Sequence, residues 1–542
     1  MKSLKLLIVL GMGITILSAE SADLTIKVPA SATVSWKDMV KKQALNPDFG
    51  YEEKKVIPFM EMKGFKYIDI DSSNKANAFE SDDVEQSSKE KSAKKFVTSD
   101  SFLALPDNNR GIPPDTMGAV GPNYAMTMLN TQVKIQNKVG STIGSVVSLA
   151  TFWQSVSTSP FDSTLLFDKN SNQWIAIAED FDKNILVAAT VTDDPTGTWK
   201  FWKFSGASDD GKSWPDFPRV GINHKWIAVT ANMFADADNS WTGTKMWTID
   251  KSTIGSNTLG VKAFPDNFDD AGNGAGFTLV PAVTLDDTQD DLYIVDSGWR
   301  DNSSNNWIRL SKLSGSTNNP VWSVVGSNQG YFQAPINFNY QPKASQKGTV
   351  DKIDTGDTRT LNAVFTNGKL WFTHCGGLPA DAPDRAAIFW YQVNPTDASV
   401  AQSGTIDPGA DGYVFMPTIA VNKHNDAVIG FSHSSPDIYV QAAYTSRSAS
   451  DPSGNMSPMV ISKNGEDSYA KDLGSGTIRW GDYSATVVDP TNDNIFWTLQ
   501  EYAATSVGSA TSDDRWGTWW IKVDSDATTT NIVITPILYL LQ

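Results

Sequence analysis

The chain has 542 residues, 40% of them hydrophobic and 19% charged. That is enough apolar side chain for a large core and too much for a disordered polymer. Lysine and arginine total 44 against 61 aspartates and glutamates, a formal charge of −17, which argues against nucleic acid or an anionic bilayer as the main partner. A single cysteine, Cys375, excludes an intrachain disulfide and any multi-cysteine metal site.

Lys2 and Lys5 precede an apolar run from Leu6 to Leu17, and small residues follow at Ser18, Ala19, Ser21 and Ala22. This is the pattern of a secretory signal peptide over residues 1–22. The run is too short to cross roughly 30 Å of hydrocarbon as a helix, and no later stretch reaches spanning length. The expected product is secreted, extracellular or periplasmic, with no membrane span. Residues 23–70 mix short apolar stretches (TIKV, KKVIPFMEM, FKYIDI) with charge, the pattern of a small strand-rich lead-in or of a pro-region. Over 71–101 the composition shifts to Ser, Lys, Glu and Asp, and SDDVEQSSKEKSAKK is nearly free of apolar residues. Such a segment reads as a disordered linker, so the main domain is expected over 102–542.

Seven later segments share one pattern: a short apolar strand, a turn opened by Gly, Asp or Asn, and a second apolar strand. The turn-opening residues are Gly121, Asp168, Gly221, Asp286, Asn367, Asn422 and Asp489, all types that tolerate turn conformations. The second strands begin at Tyr124, Trp174, Trp226, Leu292, Leu370, Ala427 and Ile495, and two more strand-like runs usually follow each. Four strands in units of roughly 50 residues or more is the arithmetic of a β-propeller blade. The expected fold is therefore all-β, a seven-bladed β-propeller of four-stranded antiparallel blades. Six or eight blades also fit, because units four and five carry long insertions, and a β-sandwich or a pair of sandwiches is the competing arrangement. The run Asn531 to Leu541 is a further strand that would pair with the first blade and close the ring. Trp174, Trp226, Trp371 and Trp497 fall inside second strands and are expected in the core, whereas Trp241, Trp299 and Trp307 are placed in loops.

In this geometry the turn between the first two strands marks a lower face. First-strand starts and second-strand ends then meet at an upper channel mouth. Asp115, Asp162, Asp216 and Asp482 stand near first-strand starts. The seventh residues of the second strands are Asn130, Asp180, Asn232, Gly298, Gly376, His433 and Glu501, with Asp296 and His374 two places earlier. Three readings of this rim follow. Asp115, Asp162, Asp216 and Asp482 would hold a cation, Ca²⁺ by their oxygen chemistry. Glu501 with Asp482 or Asp180 would serve as acid and base. Arg219, Arg300, Arg385 and Arg479, with Tyr502, His433, His374 and Asn232, would bind a ligand, the arginines suiting an anionic one such as a carboxylated sugar. Strand-start aspartates also accept backbone N–H bonds, and arginines pair on acidic surfaces, so each reading has a structural counterpart.

The four histidines are His224, His374, His424 and His433. His224 and His424 fall in lower turns, so four histidines cannot converge on one metal; two of them with Asp296 or Glu501 still can. His374 and Cys375 are adjacent on one strand and point to opposite faces, which makes a Cys–His dyad geometrically poor. The sequence has no HExxH, GxSxG, Walker or dinucleotide-binding motif.

From Ile112 to Lys522 the chain resembles a group of uncharacterised secreted bacterial seven-bladed β-propeller proteins, through PPDTMGAVGPNYAMTMLNTQV, DDPTGTWKFWKF, FPRVGI, FMPTIAVN and RWGDYSATVVDPTNDNIFWTLQEYA. The resemblance implies a fold and an exported location, and no reaction. ASDDGKSW, Ala207 to Trp214, is similar to the Asp-box of sialidase-type propellers except at its first position. One such box implies a structural turn and carries over no catalytic residue. Three functions remain in play: a binding protein for a polysaccharide or surface ligand, a sialidase-like glycoside hydrolase or polysaccharide lyase, and a cation-stabilised structural protein. No catalytic motif is complete, so binding stands first.

Overall fold

β-branched and aromatic residues recur along the chain between short breaks of Asp, Asn and Gly, the composition of strands joined by tight turns. The structure, a computed structural model, describes residues 19–21, 24–50, 55–56, 96–265, 276–296, 307–326 and 330–526. Most of the expected signal peptide, residues 71–95 of the linker, Trp299, Arg300 and the run 531–541 lie outside the described residues. Within them the chain is mostly β-strand, as expected.

Apart from a short parallel pair, Lys55–Val56 with Gly111–Ile112, the described strands pair in seven antiparallel runs. Their innermost strands are Met117–Val120, Pro160–Asp168, Ser213–Ile222, Val280–Pro281, Thr360–Thr366, Tyr413–Val421 and Ala485–Asp489. Each is followed by a second strand, starting at Tyr124, Gln173, Trp226, Leu292, Lys369, Ala427 and Asn492. Several connecting turns use a left-handed asparagine: Asn172 (φ 56°), Asn367 (φ 51°) and Asn425 (φ 63°). Each innermost strand touches the next, and the seventh touches the first. The cycle is made by packing, with no hydrogen-bonded sheet closing on itself. The strand Val283–Thr284 bridges the third and fifth runs in parallel, through Ile222 on one side and Val364 on the other. Trp174, Trp226, Trp371 and Trp497 are all buried; truncating any one would cost about 3–5 kcal/mol. Trp241 and Trp307, expected in loops, instead open third strands.

The N-terminal part of the chain is woven into these sheets. Val97–Pro106 is the outermost strand of the seventh run, paired with Arg515–Asp524 in a register that sets Phe102 opposite Trp520. Residues 97–101, expected in the linker, are therefore sheet. Their polar alternation suits an edge strand whose partner supplies the apolar surface. Leu24–Pro29 and Ala32–Ser35 add outer strands to the third and second runs. The helix Trp36–Leu45 follows, capped by the Ser35 hydroxyl, which accepts the Asp38 N–H at 3.1 Å. It buries Trp36 and Met39 against the segment Leu149–Trp153. These additions cover sheet edges that would otherwise invite intermolecular pairing.

Candidate functional site

The entries to the inner strands are irregular in a repeated way. The register shifts between Phe161 and Thr164, between Asp216 and Arg219, and between Phe415 and Thr418. Left-handed residues mark the same places: Asp162 (φ 49°), Phe217 (φ 61°) and Met416 (φ 54°), with Asp115 (φ 50°) and Thr278 (φ 55°) just ahead of two further inner strands. Such bulges cost about 1–3 kcal/mol each and re-aim the side chains beside them.

Here they gather charge at the upper end of the inner strands. Asp115 accepts the Asp482 backbone N–H on Oδ1 (2.8 Å) and the Asn130 side-chain amide on Oδ2 (2.6 Å). Asn130 in turn accepts the Asp162 N–H at 2.8 Å, and the Tyr483 hydroxyl donates to Asp162 Oδ2 at 2.9 Å. Asp162, Glu179 and Asp216 each place a carboxyl oxygen within 4.8 Å of the other two. Arg479 holds Asp482 at 2.6 Å. Arg359 grips Asp357 through two bonds of 2.7 and 2.6 Å and lies over the Phe217 ring at 4.3 Å. Arg219 stacks on Phe217 (5.1 Å) and Tyr483 (4.9 Å).

Seven carboxyl groups (Asp115, Asp162, Glu179, Asp216, Asp357, Asp482 and Glu501) thus face three guanidiniums, all of them buried. Burial, reinforced by the neighbouring acids, pushes Asp162 and Asp216 up to about 7. Burial first, then Asp216 and Asp162, raises Glu179 well above the usual carboxylate range; Asp115 and Glu501 are raised in the same way. The Phe217 backbone N–H approaches the Glu179 carboxyl, but neither Glu179 oxygen makes a well-formed hydrogen bond, nor do Asp162 Oδ1, Glu501 Oε1 and Asp482 Oδ1.

The four aspartates expected to form a rim are therefore brought together, but not at an open mouth. The segment 335–359, between the fourth and fifth runs, covers this end. Ile353 bridges to Ala344 and Ile478, and Thr355, Gly356 and Asp357 lie against Phe217, Met416 and Asp482. The expected ligand residues are consequently buried or occupied. Asn232 ties Thr278 through bonds of 2.8 Å in both directions. His433 accepts from Gln441 at 2.9 Å. His374 donates to the Cys375 carbonyl at 2.7 Å and accepts from the Tyr391 hydroxyl at 3.2 Å, inside a stack with Phe389. Burial depresses both histidines to about 4. Tyr502 points away from Glu501, against Trp519 and the Lys463 ammonium. Asp180 is taken up by its own loop, accepting from the Asp182 and Asn184 backbone N–H groups at 3.1 and 2.9 Å. Arg385 pairs with Asp384 and Asp407 far out on the fifth run. Among the described residues no histidine joins a cluster of metal-ligating groups. The Asp-box segment is a turn closed by Ser208 and Asp210.

Glu179 escaped the sequence reading because counting along the strand selected its neighbour Asp180. The available signal was an acid ending the apolar run WIAIAED on the face opposite Asp180. Arg359 and Asp357 lie in an insertion with no repeat to place them.

The open space is on the other side. A cavity of about 330 Å³ runs along the axis and is lined by residues of all seven inner strands. Its walls carry Val220, Leu361, Val364 and Val487 with Thr164, Thr366 and Thr418, and Arg219 lies toward the closed upper end. Arg219 Nη1 is buried and has no hydrogen-bond partner. The lower rim is solvent-exposed at Leu285, Lys169 and Lys423, and both lysines pair with Asp493.

No protein-family model matches the chain, and no curated protein matches it. Among solved structures it is similar to the β-propeller domain of the Trilobed protease from Pyrococcus furiosus, at 9% identity and a TM-score of 0.34, over 82% of this chain and 100% of that one. It is also similar to the fucose-specific lectin from Aleuria aurantia (12% identity, TM-score 0.30, 66% and 93% covered). A third is the Penicillium chrysogenum α-L-arabinanase complexed with arabinobiose (11% identity, TM-score 0.31, 57% and 93% covered). Superpositions this loose assign neither a fold nor a ligand.

Proposed function

We propose that the chain is an exported seven-bladed β-propeller that binds a small anionic ligand, of the carboxylated-sugar class, in an axial cavity entered from the lower face. The radial arrangement is supported by the closed cycle of contacts among the inner strands and by the single cavity that all seven line. The observation that carries the ligand is Arg219, a buried guanidinium on the cavity wall with Nη1 unpartnered. Such a donor is costly to leave unmade, and a carboxylate entering the cavity would satisfy it. The volume falls in the range of small-molecule sites, ~300–1,000 Å³. Threonine hydroxyls alternating with valines and leucines suit a hydroxylated ring with apolar faces. The hydrolase reading draws less support, because Asp482 is held by Arg479 and Asp180 by its own loop.

The test is saturation-transfer NMR and calorimetry of the purified protein against matched panels of neutral sugars and their uronic-acid counterparts, with products monitored. The carboxylated members should bind without turnover. Thr366→Trp, which fills the cavity, and Arg219→Met should each abolish binding. Retention unchanged in both variants, or no binding by any carboxylated member, overturns the reading; product release would establish the enzyme instead.

A further inference from the structure

Buried carboxylates normally find a cationic side chain or a set of N–H donors. Among the described residues none of Asp162, Glu179 and Asp216 makes an ion pair; Arg359 and Arg479 act on Asp216, and Arg219 on Asp162, only from beyond pairing distance. Arg359 grips Asp357, Arg479 grips Asp482, and Arg219 lies over two aromatic rings. Glu179 is completely buried with only the Phe217 backbone N–H near it, and neither of its oxygens, nor Asp162 Oδ1, has a well-formed hydrogen bond. One oxygen from each residue lies within 4.8 Å of the other two. Oxygens on opposite sides of a Ca²⁺ ion, each ~2.3–2.6 Å from it, would stand ~5 Å apart. Asp115 is excluded as a ligand, since both its oxygens already accept N–H bonds.

We propose that Asp162, Glu179 and Asp216 hold a divalent, oxygen-seeking cation of the calcium type. The set differs from the ring expected from the sequence: it gains Glu179 and loses Asp115 and Asp482. Asp162 and Glu179 come from the first two strands of the second run, and Asp216 from the inner strand of the third. The cation therefore clamps neighbouring sheets at the covered end. It serves structure and does not depend on the ligand reading of the cavity.

The experiment uses the full chain, stripped with a chelator and titrated with Ca²⁺ alone, followed by calorimetry, elemental analysis and thermal melting. The expected result is one ion per chain and a clear rise in Tm. Glu179→Gln, which keeps the shape and removes the charge, should weaken Ca²⁺ binding about 10-fold or more and abolish the Tm response. Asp216→Asn repeats the measurement in case Glu179→Gln does not fold. No ion retained at millimolar Ca²⁺, or equal affinity in a folded variant and the parent, overturns the proposal. Sugar binding is scored separately, so either reading can fail alone.

Discussion

The Asp115 carboxylate accepts the backbone N–H of Asp482 at 2.8 Å across 367 positions of sequence. The bond joins the first run of strands to the last at their upper ends, where the cycle of sheets meets itself. Asp115 also holds Asn130, which holds the Asp162 backbone, so one carboxyl group fixes three strand entries. Asp115→Ala removes both accepted bonds and leaves buried donors unpaired, a cost of roughly 2–4 kcal/mol. Chemical denaturation should show the loss as a lower midpoint with an unchanged slope.

The seam has a second fastening at the outer edge. Val97–Pro106 pairs with Arg515–Asp524, and Leu105 exchanges bonds of 3.0 Å with the Thr518 hydroxyl through both its N–H and its carbonyl. A chain beginning at Asp107 loses this strand together with Leu24–Pro29, Ala32–Ser35 and the helix Trp36–Leu45, and exposes the edges they covered. It should aggregate or melt far below the parent, in a size-exclusion and thermal-melt comparison. Equal stability would show that these N-terminal elements merely decorate the edges.

The buried His374 predicts a signed pH dependence. Its value of about 4 lies below the ordinary 6.5, because burial disfavours the charged ring. Between those limits the unfolded chain takes up a proton that the native chain refuses. This contribution to stability is therefore complete above about pH 6.5 and falls as the pH drops, by about 2 kcal/mol at pH 5. Imidazole NMR should find His374 neutral down to about pH 4. His374→Gln should make that part of the stability profile shallower, with His433 keeping its own share; an identical profile would contradict it.

Cys375 should be inert in the native protein. Burial pushes its thiol up to about 12, so little thiolate exists at neutral pH. An aromatic disulfide reagent should label one thiol per chain in denaturant and essentially none without it. Rapid native labelling would mean that the second strand of the fifth run opens readily.

Much of the architecture was legible because it is local. Alternating apolar residues and turn-forming Asp, Asn and Gly announce each strand pair within about 20 residues, and the second strands begin within a few residues of the expected positions. The same local signals placed Asp115, Asp162, Asp216 and Asp482 at strand entries, where they do converge. The extra edge strands at Leu24–Pro29 and Val97–Pro106 were less legible, because edge strands need little apolar sequence of their own.

The state of the site was decided only in three dimensions. Tyr483 reaches Asp162 across 321 positions, and the segment 335–359 turns an expected open rim into a covered cluster. Strand periodicity tells which face a side chain takes, but burial depends on what distant chain arrives above it, and burial sets the charge these acids can carry. The amino-acid order determined the strands and their recurrence. Which acids meet, which lack partners, and which end of the axis stays open were settled by contacts between segments hundreds of residues apart, to which no short-range pattern responds.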